Sequence, residues 1–222
     1  MKIAVFGASG LSGLPTVQLA AAKGLQVNAL QRRPAAAPLP GVNYVLGSPD
    51  RAEDVRKALE GADVLAVCLG HNLKRNAKGG RTPFGKAETP ADFMEKAASV
   101  YLPIAKELGV KRVIYFSAYG VGAAEYKHLP LIFRIIIRLS AIKHAYADHE
   151  AAEALIRASG LDYTILHPGY LTEADEVHAF TRDPAQNGGG ISRKTVANFI
   201  VDTALHGGDS NASVALFGAK KG

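Results

Sequence analysis

Short apolar runs alternate along the chain with longer stretches of helical period. Strand-type runs fall at Lys2–Phe6, Gln26–Leu30, Asn43–Leu46, Val64–Leu69, Arg112–Ser117, Tyr163–His167 and Ser213–Phe217. Between the first two, Leu14, Val17 and Ala21 recur at i, i+3 and i+7, and Gly24 stops the pattern where a C-terminal glycine cap belongs. Further helices are predicted over Asp50–Leu59, Pro90–Leu108, His144–Ala158 and Thr195–Leu205. Strand and helix in strict alternation are the mark of a parallel sheet covered on both faces. The run Leu129–Leu139, interrupted by Arg134 and Arg138, is expected to be a core-facing helix or flap with its arginines on the wet side. Contact with a membrane surface or a second subunit is its other reading. Two polar segments break the rhythm, His71–Thr89 and Tyr170–Gly190, and loops of that length usually carry function or move. Ala35–Pro40 reads as an exposed turn, with no linker or internal repeat elsewhere, so residues 1–222 are expected to form a single domain.

Composition narrows the class. With 222 residues the chain has enough material for a substantial core without a staple. Cys68 is its single cysteine, which forbids an internal disulfide and suits a reducing, cytoplasmic setting. The apolar start Ile3–Phe6 is too short for a signal peptide, and Leu129–Leu139 falls far short of the ~20 residues of a membrane span. No membrane partner is therefore expected. The net charge of +6 raises the question of nucleic acid, but the charge is bipolar. Residues 72–90 hold Lys74, Arg75, Lys78, Arg81 and Lys86 against Glu88, residues 127–144 add four cations and no acid, and residues 145–183 carry a net −6. Phe84 and Phe133 are the only aromatic residues in the basic parts, too few to interleave them, so no nucleic-acid partner is expected. The cations suit anionic small molecules instead.

The strongest local signal is Gly7-Ala8-Ser9-Gly10-Leu11-Ser12-Gly13, a G-x-x-G-x-x-G turn between a strand and an amphipathic helix. Such a turn aims backbone N–H groups and the positive end of a helix dipole at a phosphate, and glycine is needed where a Cβ would strike the ligand or the next strand. After the second strand the chain reads Gln31-Arg32-Arg33, where a site selective for NAD places an acid for the ribose 2′-hydroxyl. A guanidinium there can pair with a 2′-phosphate, which points to NADP(H). No G-x-x-x-x-G-K-[ST], G-x-S-x-G, C-x-x-C or H-x-x-x-H pattern occurs, so P-loop, serine-hydrolase, dithiol and zinc chemistry lack support and no metal is expected.

The glycine turn, Arg32, Ala62-Asp63-Val64, Val110–Val113 followed by Ser117, Ser159–Thr164 followed by Pro168-Gly169, and Ile191-Ser192-Arg193 together resemble the atypical short-chain dehydrogenase/reductase group. Within it the chain is similar to NAD(P)H-binding flavin reductases of the biliverdin-IXβ reductase type and, more loosely, to NmrA-like proteins. The resemblance spans nearly the whole chain. It implies an α/β, Rossmann-like doubly wound parallel sheet with a small C-terminal region covering the substrate. It implies that Gly7 to Gly13 hold the pyrophosphate, Arg32 and Arg33 the 2′-phosphate, and Leu69, Gly70 and His71 the nicotinamide side. Ser117 and Ala118 would lie beside nicotinamide and substrate, and His167, Pro168, Gly169 and Tyr170 would close over the cofactor. Ser48 stands where relatives often carry an adenine-contacting Asp, and His167 where they often carry Arg. His149 matches a helical position that is His in the biliverdin-IXβ type; it reads either as a proton donor or as a solvated side chain amid Asp148, Glu150 and Glu153. Ser117 likewise reads as an orienting hydroxyl or as a strand-end cap.

The Tyr-x-x-x-Lys pair that protonates ketones in classical members is missing: Tyr146 is followed by Ala147, Asp148, His149 and Glu150. Two activities remain. One is hydride transfer from NADPH to a conjugated acceptor (flavin as substrate rather than bound group, bilin or quinone), whose ring spreads the incoming charge. The other is a non-catalytic NADP(H)-binding redox sensor of the NmrA-like kind, although a chain that stops after its last strand favours the enzyme. Either a monomer or a homodimer is compatible with the sequence. If Arg32 and Arg33 hold the 2′-phosphate, changing both to Ala will raise the Kd for NADPH about tenfold or more and leave that for NADH nearly unchanged, as read by fluorescence titration.

Overall fold

The computed structural model describes residues 1–71, 89–140 and 142–220. The basic residues Lys74, Arg75, Lys78, Arg81 and Lys86 therefore lie outside the described residues. In chain order the elements are β1 (Lys2–Phe6), α1 (Gly13–Ala22), β2 (Gln26–Gln31), β3 (Val42–Leu46), α2 (Ala52–Leu59), β4 (Val64–Val67), α3 (Phe93–Glu107) and β5 (Arg112–Phe116). There follow α4 (Ala123–Tyr126), α5 (Leu131–Leu139), α6 (Ile142–Ala158), β6 (Asp162–Pro168), β7 (Leu171–Thr172) and β8 (Phe180–Thr181). A 3₁₀ turn (Pro184–Gln186), β9 (Asn187–Gly189), β10 (Ile191–Ser192), α7 (Arg193–His206) and β11 (Ala212–Ala219) complete the chain.

The sheet runs β3-β2-β1-β4-β5-β6-β11, all parallel, and β8 and β9 add antiparallel to the far end of β11. This is the expected Rossmann-like doubly wound α/β architecture. Its strands are apolar without alternation because both faces are covered. Ile3, Ala4, Val5 and Phe6 of β1 are all fully buried. One layer beneath the sheet joins Phe6, Leu65, Tyr115 and Ile165 to α2, α3 and α6; the opposite layer joins Val5, Ala66, Ile114 and Leu166 to α1 and α7. Strand order reverses between β1 and β4, so the carboxyl ends of these two strands, Gly7 and Cys68, flank the crevice where ligands bind such sheets.

Several boundaries differ from the sequence reading for local reasons. α1 buries Gly13, Thr16, Val17 and Ala20, not the predicted Leu14, which is exposed; its small side chains let α7 pack closely on it. α7 starts two residues early because the Ser192 hydroxyl caps it, accepting the Thr195 N–H at 3.0 Å. The segment after β6 contributes β7 and β10, a two-residue parallel ladder that pulls it back toward α7.

The largest correction concerns α5. It was expected to face the core with its arginines outward. Instead Leu131, Ile132, Phe133, Ile135 and Leu139 are exposed, Ile137 alone is buried, and Arg134 is turned partly inward. Its neighbour α6 holds the core position, and α5 rests on it as a surface helix.

The start of α3 depends on a residue from another element. Asp92 stands at the N-cap without a side-chain cap bond. The Asp148 carboxylate, from α6, instead accepts the Met94 N–H at 2.8 Å and the Glu95 N–H at 2.9 Å. Two orphan donors are thus satisfied, and the negative charge sits at the positive end of the α3 dipole. Asp148→Ala removes both acceptors from a buried place. It is expected to cost about 2–4 kcal/mol in urea unfolding, whereas Asp92→Ala, which removes no cap bond, should leave the urea midpoint nearly unchanged.

Candidate cofactor and active site

The glycine turn is packed backbone to backbone. Gly7 has φ +78°, and a Cβ there would lie 2.6 Å from the Cys68 carbonyl oxygen of β4's exit; a Cβ on Gly13 would lie 2.1 Å from the Gly7 carbonyl. The turn is closed by Gly10 N–H donating to Gly7 O at 2.9 Å and Leu14 N–H to Gly10 O at 3.0 Å, while Ala8 N–H ties it to Leu30 O on β2. The N–H groups of Ser9, Leu11 and Ser12 make no backbone bond among the described residues. Ser9, Gly10 and Leu11 are exposed. Free donors at a helix N-terminus, in a cradle a side chain would fill, fit a dinucleotide pyrophosphate.

Arg32 and Arg33 leave the end of β2 as exposed side chains, with no hydrogen bond or ion pair among the described residues. Ser48 follows β3; its hydroxyl bonds Asp50, and its N–H donates to the buried Asp54 carboxylate at 3.0 Å. Leu69, Gly70 and His71 follow β4, but the His71 ring is already engaged. Its Nε2 bonds Asp148 at 2.8 Å and its Nδ1 pairs with Thr89 Oγ1 at 2.7 Å. His71 therefore anchors α6 and α3 to the strand end rather than offering a ring nitrogen to a ligand.

Past β5 and β6 the sequence-predicted residues converge on one buried network. Ser117 is 3% exposed; its N–H donates to Leu166 O and its hydroxyl to Glu153 Oε1. The same Glu153 oxygen accepts Nε2 of His167 at 2.9 Å, and Arg157 holds the other oxygen at 2.7 Å. His167 Nδ1 donates to Glu125 at 2.7 Å, and Glu125 also accepts the Gly120 N–H at 2.9 Å. His167 does not reach over the cofactor crevice as expected: two carboxylates hold its ring inside the protein. Burial disfavours its charge, but the two carboxylates outweigh that and raise its pKa to about 9. His167 is an imidazolium at neutral pH.

His149 is the opposite case. It is 8% exposed, not a solvated surface residue, and its Nδ1 meets the Tyr115 hydroxyl at 2.9 Å. Burial lowers its pKa to about 4, so it is neutral at pH 7 and carries no acidic proton for a substrate. Tyr146 donates to the Tyr119 carbonyl at 3.0 Å, and burial raises its pKa to about 12. Ala118 is half-buried, Pro168 is buried with its carbonyl accepting the Tyr119 N–H, Gly169 N–H bonds Leu216 O, and Tyr170 is 78% exposed. Among the described residues no metal-ligating cluster occurs.

Sequence reasoning passed over Glu125, Glu153, Asp148 and Arg193. The α6 signal was present: Glu153 lies four residues after His149 and three before Ile156, on the face that Ala152 and Ile156 bury. Arg193 closes the glycine turn from the far side, donating from Nη1 to Ser12 Oγ at 3.1 Å and from Nε to Glu173 at 3.0 Å. It had entered only as part of the Ile191-Ser192-Arg193 resemblance.

A doubly wound parallel sheet with a phosphate-type glycine turn at its switch point defines a nicotinamide-dinucleotide-binding domain. The chain belongs to the NAD(P)H-binding family, whose model matches residues 7–206. Among solved structures it is similar to ChuY of Escherichia coli O157:H7, described as an anaerobilin reductase, with 23% identity over 98% of this chain and 97% of that one and a TM-score of 0.75. It is also similar to the oxidoreductase ylbE of Lactococcus lactis (20% identity, 100% and 92% covered, TM-score 0.76). A short-chain dehydrogenase/reductase of Veillonella parvula in complex with NADP matches at 17% identity, 99% and 96% covered, with a TM-score of 0.74. At these identities the likeness is one of fold.

The charged state of His167 gives a pH signature. A folded pKa of about 9 against an ordinary 6.5 means the contribution to stability is full below pH 6.5 and is lost as pH rises through 9. Glu125 and Glu153 face its ring, with Arg157 and Ser117 sharing Glu153. The thermal midpoint of the wild type should therefore fall between pH 6.5 and 9.5. His167→Gln should be less stable at pH 6.5 and lack that fall; parallel curves for the two proteins would refute the assignment.

Proposed function

We propose that the protein is an NADPH-dependent reductase that passes a hydride to a flavin or a similar conjugated acceptor, such as a bilin or quinone. The observation that carries this reading is the state of the hydroxyls around the end of β5. Ser117 gives its hydrogen to Glu153, Tyr146 to a backbone carbonyl, and Tyr115 is paired with His149. None of these three is left to protonate a developing alkoxide, the step that an isolated ketone requires, and the nearby Tyr119 ring packs edge-on against Phe217. A conjugated acceptor delocalises the incoming charge, and its proton can come from water.

When bound, the reduced nicotinamide supplies the hydride. The chain supplies position and field. Backbone donors of Ser9, Leu11 and Ser12 and the guanidinium of Arg193 would take the pyrophosphate, Arg32 and Arg33 the 2′-phosphate, and Ser48 would serve the adenine end. Leu69 and Gly70 would border the nicotinamide, together with Ser117 and Ala118. Ser117, fixed by Glu153, orients rather than donates. His149 serves as a neutral packing partner of Tyr115. ChuY's description as a bilin reductase, on the same fold, is in keeping with a large conjugated acceptor.

The same lack of an acid also suits a non-catalytic NADP(H)-binding sensor, and one experiment separates the two. Purified protein with NADPH is given FMN, biliverdin or a soluble quinone, and oxidation is followed at the nicotinamide band. Turnover above the enzyme-free rate is expected with at least one acceptor; NADPH binding without turnover on any of them would leave the sensor. Ser117→Ala should lower kcat by less than about tenfold, whereas loss of an essential general acid would cost about 10²–10⁴.

A further inference from the structure

The outward face of α5 is the least expected surface of the molecule. Leu131 is 65% exposed, Ile132 61%, Phe133 53%, Ile135 43% and Leu139 75%. A helix of this composition ordinarily turns those side chains to the core. Here the order is inverted: Arg134 is half-buried, with its Nε hydrogen-bonded to nothing among the described residues, while the aliphatic ridge points to solvent. Two contacts at and near its N-terminal end fix the inversion. Leu129 packs against Gly120, where even a Cβ would collide at 2.5 Å, and the Tyr126 hydroxyl donates to the Arg134 carbonyl at 3.1 Å.

The rim of this ridge is cationic. Lys127, Arg138 and Lys143 are exposed beside it, His128 and His144 lie at the same two ends, and no acid occurs from Lys127 through Ala147. We infer that the exposed face of α5, with its flanking cations, seats the protein on an anionic lipid bilayer surface. At nine residues the helix is about 13 Å long, too short to cross a bilayer but long enough to lie in its interface, apolar side down and cations at headgroup level. The charge argues against a second copy of the chain as the occupant. Stacking two such faces would bring Lys127, Arg138 and Lys143 of both copies together with no acid in that segment to pair with them. A surface of phosphate headgroups neutralises all of them at once. The expectation of no membrane partner rested on the run being too short to span a bilayer, and a helix lying in the interface needs no such length. The inference is independent of the reductase reading.

The test is co-sedimentation of the full chain with vesicles. Vesicles of phosphatidylcholine with about one-third phosphatidylglycerol should bind at least about tenfold more protein than pure phosphatidylcholine, and raising the salt should release it. Ile135→Glu combined with Leu139→Glu should abolish binding. Arg138→Glu combined with Lys143→Glu should erase the preference for the anionic vesicles. All four side chains are exposed, so an unchanged thermal midpoint and unchanged NADPH affinity verify that the variants are folded. Three results would overturn the proposal: no binding to anionic vesicles, binding that survives the Ile135/Leu139 pair, or a concentration-dependent dimer in sedimentation equilibrium that this pair splits.

Discussion

Helix α6 brings two carboxylates into the protein, and the carboxyl edge of the sheet is organised around them. Asp148 and Glu153 are 3% and 2% exposed. A carboxylate taken out of water is tolerated only when its lone pairs are filled. Asp148 is filled by the first amides of α3 and by His71 at the exit of β4. Glu153 is filled by Ser117 at the exit of β5, by His167 on β6 and by Arg157. One helix therefore fixes three successive strand ends and the start of another helix. Removing either carboxylate would disturb the edge on which any ligand must rest.

This arrangement also decides what the edge can do. His167 is spent as a cation at neutral pH between Glu125 and Glu153, and the buried imidazole of His149 is held neutral. Charge that other enzymes would lend to a substrate is here turned inward for structure. Such an edge can orient a planar ring and shield it from water, but it has little to offer a reaction that needs a strong acid at the right moment. On the function proposed above, the acceptor brings its own electronic sink.

Much of this was readable from the sequence. The unbroken apolar runs of β1, β4 and β5 gave away a sheet buried on both sides, and the glycine spacing after β1 marked a tight turn whose reason is plain, since Gly7 and Gly13 approach neighbouring backbone too closely for any side chain. Two things escaped. Glu153 and Asp148 read as solvated acids because burial of a charge depends on partners from the ends of β4, β5 and β6, which lie 14 to 77 residues away in the chain. The orientation of α5 escaped because its pattern names an apolar face without saying which way that face turns; α6 had already filled the core position beneath it. Both failures concern tertiary partners, which local periodicity does not encode.

Cys68 sits where the first and fourth strands meet at the crevice, its carbonyl pressed against Gly7 and its sulfur 3.8 Å from Thr16 Oγ1. Burial pushes its thiol up to about 12, so it is neither exposed nor ionised while the fold is closed. As the chain's single sulfhydryl, it is a built-in reporter of breathing. A thiol reagent can reach it only when the seam between the glycine turn and the fourth strand parts, so its rate of modification counts the openings of the cradle itself. A molecule lodged in that cradle would slow the count without touching the sulfur.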